Sequence, residues 1–145
     1  MTSSNTTSNR RIEILRVVFS IFLIIIGVAH FIRAEQFAKI VPPVFPIYPS
    51  VYISGVFEIL GGIGLLIPSV SVAAAWGLIA LFIAVFPANI YMVLHNITLD
   101  GVPQSQLLYW GRLPLQAVLI AWAWWYTKHP KQAQVKEVTG GTENT

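Results

Sequence analysis

Polar side chains inside otherwise apolar sequence are the residues of this chain best suited to chemistry. Each of four apolar stretches contains one of them: His30, Glu58, Asn89 and Arg112. A charge at the centre of a bilayer costs about 2.5–3.5 kcal/mol, so ionisable residues in such stretches are candidates for function. The structural alternatives are an internal ion pair between Glu58 and Arg112 and an interhelical hydrogen bond for Asn89.

Helical spacing adds two more candidates. Tyr109, Arg112 and Gln116 recur at intervals that place them on one helix face. An arginine donates to a carbonyl or an anion, a carboxylate holds the arginine or accepts a proton, and aromatic rings flank a ring-shaped ligand. The sequence therefore predicts a polar pocket for a quinone-like or other small ligand with a polar head. Its residues are His30, Glu58, Asn89, Tyr109, Arg112 and Gln116.

Metal and haem sites receive little support from the sequence. The chain has no cysteine, which excludes a thiol nucleophile and cysteine-ligated metals. A haem held between His30 and His95 is an alternative that we disfavour, because His95 falls at the end of its apolar stretch. For His30 alone, the structural alternative is a side chain at the membrane surface near Arg33. We expect no metal site, and a quinone is the one cofactor that the pocket suggests.

The composition indicates that membrane-spanning helices position these residues. Of 145 residues, 55% are hydrophobic and 10% are charged, whereas soluble domains carry about 25% charged residues. A soluble enzyme and a nucleic-acid-binding protein are therefore excluded, and the lipid bilayer is the expected surrounding. Four stretches approach the length of about 20 residues that a spanning helix needs. They are residues 13–31, 51–68, 72–94 and 107–127.

Basic residues beside these stretches predict the orientation. The N-terminal flank contains Arg10, Arg11 and, at the start of the first stretch, Arg16, and the C-terminal flank contains Lys128, Lys131 and Lys136. Because Lys and Arg accumulate on the cytoplasmic side, both termini should face the cytoplasm. We expect an all-α, membrane-spanning four-helix bundle (13–128) in the plasma (inner) membrane, flanked by flexible polar tails (1–12 and 129–145). The polar residues then share the outer half of the bundle, and the inner half contains no ionisable side chain.

The segment 34–50 differs from the rest of the chain. Its four prolines, Pro42, Pro43, Pro46 and Pro49, oppose a regular helix, while its apolar residues oppose a solvated loop. The sequence predicts an ordered, Pro-rich interfacial segment between the first two spanning helices. In that position it would cover the polar layer.

Several short motifs, taken in their order and spacing, resemble the DoxX-like family of small integral membrane proteins. They include GVAHF (27–31), IVPP (40–43), EILGGIGLL (58–66), FPANIYM (86–92) and RLPLQ (112–116). The resemblance extends over about residues 16–126. It implies a four-helix membrane bundle.

The same resemblance carries expectations about function. Some members of that family are subunits of a thiosulfate:quinone oxidoreductase, others belong to membrane complexes that resist oxidative and thiol stress, and distant relatives assist assembly. Because this chain has no cysteine, a partner subunit should carry the redox centre. We expect a non-catalytic or quinone-binding subunit or partner of a membrane redox complex. The alternatives are an assembly or scaffold protein without catalysis and, with less support, a transporter of small solutes or protons.

Overall fold

The chain folds into helices joined by short loops. The computed structural model describes residues 3–131 and contains no strand within that range, which confirms the all-α class. The elements are α1 (Ser3–Ile32), α2 (Ala34–Ala38), α3 (Ile47–Leu65), α4 (Ser71–Leu94) and α5 (Gln106–Lys128).

Three of these helices are long and apolar enough to cross a membrane. The candidate spans are Thr7–Ile32, Ile47–Leu65 and Ser71–Leu94, judged by length and composition. Helix α5 has 23 residues and is long enough, but it is less apolar than the other three. Its Arg112, its Gln116 and its many Trp and Tyr residues account for this difference, because Trp and Tyr favour the membrane interface over the hydrocarbon interior.

The helix boundaries differ from the predicted ones at three places. Helix α1 already begins at Ser3, inside the segment expected to be a tail, and residues 132–145 of the other expected tail lie outside the described residues. Helix α2 lies inside the segment 34–50, where the prolines were expected to oppose a helix. It is compatible with them because it ends before Pro42, the first proline of the segment. Helix α3 includes Pro49 in its first turn, where the missing N–H needs no partner.

The packing order follows the chain from α1 to α3, α4 and α5. Helices α1 and α3 approach closely at glycines. A Cβ added to Gly55 would lie 2.9 Å from the carbonyl oxygen of Gly27, and one added to Gly62 would lie 2.9 Å from that of Ser20. Only glycine allows two backbones to come this near, so these residues fix the seam between α1 and α3.

The packed helices have two ends, which we call the Arg16 end and the Asp100 end after a residue at each. A large apolar cluster that includes Phe19, Leu78 and Tyr126 fills the Arg16 end. A smaller cluster of Ile40, Met92 and Leu99 fills the Asp100 end. Large apolar side chains also cover the outward surface of all four long helices, among them Ile25, Ile63, Ile83 and Val118.

Candidate functional site

A cavity of about 650 Å³ lies between α3 and α4 in the half of the molecule nearer the Asp100 end. Four of the predicted site residues line it, one from each long helix: His30, Glu58, Asn89 and Arg112. The rest of the wall is mostly apolar. Ligand pockets commonly have volumes of about 300–1,000 Å³ and apolar walls with a few polar groups, and this cavity fits that description.

His30 and Glu58 are adjacent in the cavity wall. The Nδ1 atom of His30 lies 3.2 Å from Glu58 Oε2 and 2.9 Å from the carbonyl oxygen of Ile26. Two oxygens around Nδ1 require that this nitrogen carry a proton, and its single N–H is directed to Ile26. Glu58 Oε2 is buried and accepts no hydrogen bond from the described residues. The carboxylate is thus close to a polar N–H but retains an unused acceptor.

The ion pair between Glu58 and Arg112, given above as a structural alternative, does not form in the described chain. Glu58 pairs with His30, whereas Arg112 lies 3.9 Å from the sulfur of Met92, and its guanidinium carbon is 6.0 Å from the centre of the Tyr109 ring. The seam between α1 and α3 explains this, because His30 and Glu58 each follow one of its glycines by three residues. Arg112 belongs to α5, which packs on α4.

The remaining predicted residues have structural contacts. Asn89 donates to the side-chain oxygen of Gln116, and the Gln116 amide donates to the backbone carbonyl of Phe82. This chain of hydrogen bonds joins α4 to α5, as in the structural alternative for Asn89. Gln116 and Tyr109 do not line the cavity, and the Tyr109 hydroxyl is buried with no hydrogen-bond partner in the described chain.

The Pro-rich segment roofs the cavity. Phe37, Ile40 and Phe45 line it, and the Phe37 ring stacks on the imidazole of His30 with ring centres 4.0 Å apart. The segment is therefore packed over the polar residues as the sequence predicts. It shields His30 and Glu58 at the Asp100 end.

Contacts with the loop between α4 and α5 hold this roof in place. The side chain of Gln36 donates to the carboxylate of Asp100, whose backbone N–H donates back to Gln36 at 3.1 Å. The ammonium of Lys39 lies 3.3 Å from the same carboxylate. The Gln36 hydrogen bond and, next, the Lys39 charge lower the pKa of Asp100 below its ordinary value. The carboxylate thus stays ionised to a lower pH than that of an ordinary aspartate.

One side of the cavity is open. Ile53 and Phe57 form its rim on α3, and both side chains are more than half exposed, at 55% and 53%. Gly77, Ala80 and Ala84 on α4 also line the cavity and are exposed. The opening therefore lies along the gap between the two helices, within the length of both candidate spans.

The same face of α3 closes this gap nearer the Arg16 end. A Cβ on Gly61 or Gly64 would collide with Leu78 or Ala74 of α4. Gly61 and Gly64 lie on the same helix face as Ile53 and Phe57. Helices α3 and α4 thus touch where α3 has glycine, and a space separates them where α3 has Ile53 and Phe57.

Arg16 is a buried charge that the sequence reasoning missed. Its side chain is completely buried, and its guanidinium donates to the carbonyl of His129 at 2.6 Å and to that of Leu65 at 3.5 Å. It also lies 3.3 Å from Glu13 and over the ring of Tyr126. The sequence analysis expected no ionisable side chain in the half of the bundle that lacks the predicted polar residues. The buried Arg16 shows that this expectation is wrong. The one signal in the sequence was the spacing of Glu13 and Arg16, which fits a pair on one helix face.

Arg16 satisfies backbone groups that helix ends leave unpaired. Leu65 is the last residue of α3, and His129 directly follows α5. Carbonyls at helix C-termini carry partial negative charge and attract cations. One guanidinium thus joins α1 to the C-terminal ends of two other helices and closes the Arg16 end.

A family model described as "Domain of unknown function (DUF8561)" matches residues 19–127. This range includes the four polar residues of the cavity and its roof. No curated protein and no solved structure matches the chain. Because the matched range is well over half of the 145 residues, the chain belongs to the DUF8561 family.

Proposed function

We propose that the protein is a four-helix bundle in the plasma (inner) membrane, with α1, α3, α4 and α5 all spanning. The outward surface of α5 supports the fourth span, since Leu115, Val118 and Trp124 are each about half exposed, at 52%, 56% and 51%. The basic residues that flank the bundle support cytoplasmic termini. The Asp100 end and the cavity then belong to the outer half of the membrane.

The function proposed for this bundle is to bind a small, lipid-soluble ligand with a polar head, such as a quinone. The observation that carries it is the cavity, which combines a mostly apolar wall with at least one polar side chain from each long helix. In the described chain, the guanidinium of Arg112 makes one polar contact, with the Met92 sulfur, which is a weak hydrogen-bond acceptor. Arg112 can therefore donate to a stronger acceptor on a ligand. If Arg112 only held α5 in register, its guanidinium would be paired with a carboxylate or a carbonyl of the protein.

The DoxX-like resemblance supports placing this binding function within a membrane redox complex. In that role the chain holds and orients the ligand, and a partner subunit supplies the redox centre, since no cysteine is present. No step of electron transfer is assigned to the residues of this chain.

Binding of a short-chain ubiquinone analogue to the purified protein in mild detergent tests this function. Gly77→Leu is the informative variant, because Gly77 lines the cavity and an added Cβ meets nothing within 4 Å. Gly111→Leu is the matched control, because Gly111 also faces open space but lies away from the cavity. Titration calorimetry should give the same dissociation constant for the wild type and Gly111→Leu, and one at least about tenfold weaker for Gly77→Leu.

Two results would contradict the proposed function. The first is the absence of saturable binding by the folded wild-type protein, which would favour the scaffold alternative. The second is equal binding by Gly77→Leu, which would place the ligand elsewhere. Proton or solute flux into liposomes that contain the protein, above that of empty vesicles, would favour transport.

A further inference from the structure

We propose that the ligand is a neutral phenol-like molecule that enters the cavity from the bilayer and donates the hydrogen bond of its hydroxyl group to Glu58. This inference rests on the proposed binding function and specifies the form of the ligand: for a quinone it is the reduced quinol, because the quinone itself has no hydroxyl group to donate. Three features carry it: an unused acceptor on Glu58, a charge balance that favours a neutral ligand, and an opening between two apolar helices.

The first feature is the carboxylate of Glu58. Glu58 lines the cavity and is 8% exposed, and its carboxylate accepts no hydrogen bond from residues 3–131. An unsatisfied buried polar atom costs about 1–3 kcal/mol, and more when the group is charged. The nearest N–H, on His30, is already directed to the carbonyl of Ile26. The group that the cavity lacks at this point is therefore a hydrogen-bond donor.

The second feature is the balance of charge in the wall. With His30 as a neutral imidazole, Glu58 contributes the one negative charge of the wall and Arg112 the one positive charge, and within the described chain the two do not pair with each other. An anionic ligand would bring a second negative charge near Glu58, and a cationic one would bring a second positive charge near Arg112. A neutral ligand avoids both repulsions, and a second oxygen on its ring would accept a hydrogen bond from Arg112.

The third feature is the opening. Its rim consists of Ile53, Phe57 and small residues of α4, and both helices are candidate membrane spans. Molecules that reach this opening come from the hydrocarbon region, so they must be apolar enough to dissolve there. A ring with a hydroxyl group meets this requirement and also supplies the donor that Glu58 lacks. The stacked rings of Phe37 and His30 offer an aromatic surface beside that carboxylate.

The test compares hexylphenol with its methyl ether, hexylanisole. The two probes share the ring and the alkyl chain, but only the phenol donates a hydrogen bond. The wild-type protein in detergent should bind hexylphenol about tenfold more tightly, which corresponds to about 1.4 kcal/mol. Glu58→Leu should bind both probes equally, and its fold should survive because His30 keeps its bond to Ile26. Glu58→Gln, which keeps an acceptor, should retain part of the preference and serves if the leucine variant fails to fold.

Failure of this inference is distinguishable from failure of the binding function. Equal binding of both probes by the wild type, lost in Gly77→Leu, would overturn the phenol inference and leave the binding site intact. A preference for the phenol that persists unchanged in Glu58→Leu would also overturn it, because the donor would then be recognised elsewhere. Absence of binding for the probes and for the quinone analogue alike would overturn the binding function itself.

Discussion

Two buried charged residues in this protein are stabilised in different ways. Arg16 donates to carbonyls at the ends of α3 and α5 and lies beside Glu13. Glu58 is adjacent to the imidazole of His30 and keeps one oxygen without a donor. The guanidinium of Arg16 thus joins the ends of helices, although its Nε atom, like Glu58 Oε2, has no hydrogen-bond partner in the described chain. Arg16 therefore has a structural role at the helix ends, whereas Glu58 lines the cavity and is the residue to which our proposal assigns binding.

A double-mutant cycle should show that Glu58 is coupled to His30. The variants are Glu58→Gln, His30→Phe and their combination, and a parallel cycle replaces His30→Phe with Arg112→Met. The free energy of unfolding, measured by SDS titration in mild detergent, should be non-additive by about 0.5 kcal/mol or more for the pair in contact. The cycle with Arg112 should be nearly additive. A larger coupling to Arg112 than to His30 would contradict the observed pairing.

Replacement of Arg16 should destabilise the protein strongly. Arg16→Leu removes hydrogen bonds to two backbone carbonyls, and together they should cost about 3 kcal/mol or more of the free energy of unfolding. Arg11→Leu is the control, because Arg11 carries the same charge on the same helix but is exposed. The SDS titration should show a large loss for Arg16→Leu and little change for Arg11→Leu. Similar losses for both would mean that Arg16 acts only through its charge.

The residues of the cavity could be predicted from the sequence, but their pairing could not. His30, Glu58, Asn89 and Arg112 stand out because each is polar within an apolar stretch, which is a local property of the sequence. Which of them meet depends on which helices touch, and that depends on glycines far apart in the chain. Arg16 was counted as a flanking charge because its burial depends on the return of α5, more than 100 residues later.

At the scale of elements, glycine decides where helices touch and where a space remains. Gly27, Gly55 and Gly62 bring α1 against α3, and Gly61 and Gly64 bring α3 against α4 at the Arg16 end. Gly77 faces the cavity instead, with open space in front of it. Small residues on a helix allow a neighbour to approach closely, but their spacing in a sequence does not distinguish a seam from a cavity wall.

Gly55→Ala should disrupt the seam between α1 and α3. The new methyl group would lie 2.8 Å from the Cβ of His30 and 2.9 Å from the Gly27 carbonyl oxygen, so the helices must separate. The expected loss in the free energy of unfolding is about 1–3 kcal/mol. Gly111→Ala, where the added methyl meets nothing, should instead gain about 0.5–1 kcal/mol from helix propensity. A neutral Gly55→Ala would contradict the close approach of the two backbones.

The sequence predicted the roof of the cavity, formed by the Pro-rich segment 34–50, only in part. Its order and its position over the polar residues were predicted from four prolines among apolar residues. The short helix α2 and the contact of Gln36 and Lys39 with Asp100 were not predicted. Those contacts join two loops that are about 60 residues apart in the chain, and no local pattern reports them.

At the scale of the whole molecule, the number of spans determines where the termini lie. Three helices qualify as spans by composition, and α5 is the fourth in the proposed bundle. An even number of spans places both termini on one side of the membrane. An odd number places them on opposite sides, so accessibility of residues near the ends distinguishes the two arrangements.

Single cysteines labelled with an impermeant maleimide should reveal a fourth span. Lys39→Cys, at the Asp100 end, should react from outside right-side-out membrane vesicles, whereas Ser8→Cys, Ser69→Cys and Lys128→Cys should react only after permeabilisation. All four positions are exposed, so accessibility within the protein does not bias the comparison. Outside labelling of Lys128→Cys together with Lys39→Cys would contradict a span formed by α5. Labelling at Ser69 and not at Lys39 would invert the topology.

The central claim is that the cavity beside Glu58 holds a lipid-soluble ligand, and the most direct measurement is to identify what co-purifies with the protein. Wild type, Gly77→Leu and Gly111→Leu would be purified in mild detergent, extracted with organic solvent and compared by mass spectrometry. We predict one lipid-soluble ring compound with a polar head, near one equivalent per chain, in the wild type and in Gly111→Leu, and a strongly reduced amount in Gly77→Leu. Extracts that contain only bulk phospholipid, in equal amounts for all three proteins, would contradict the claim.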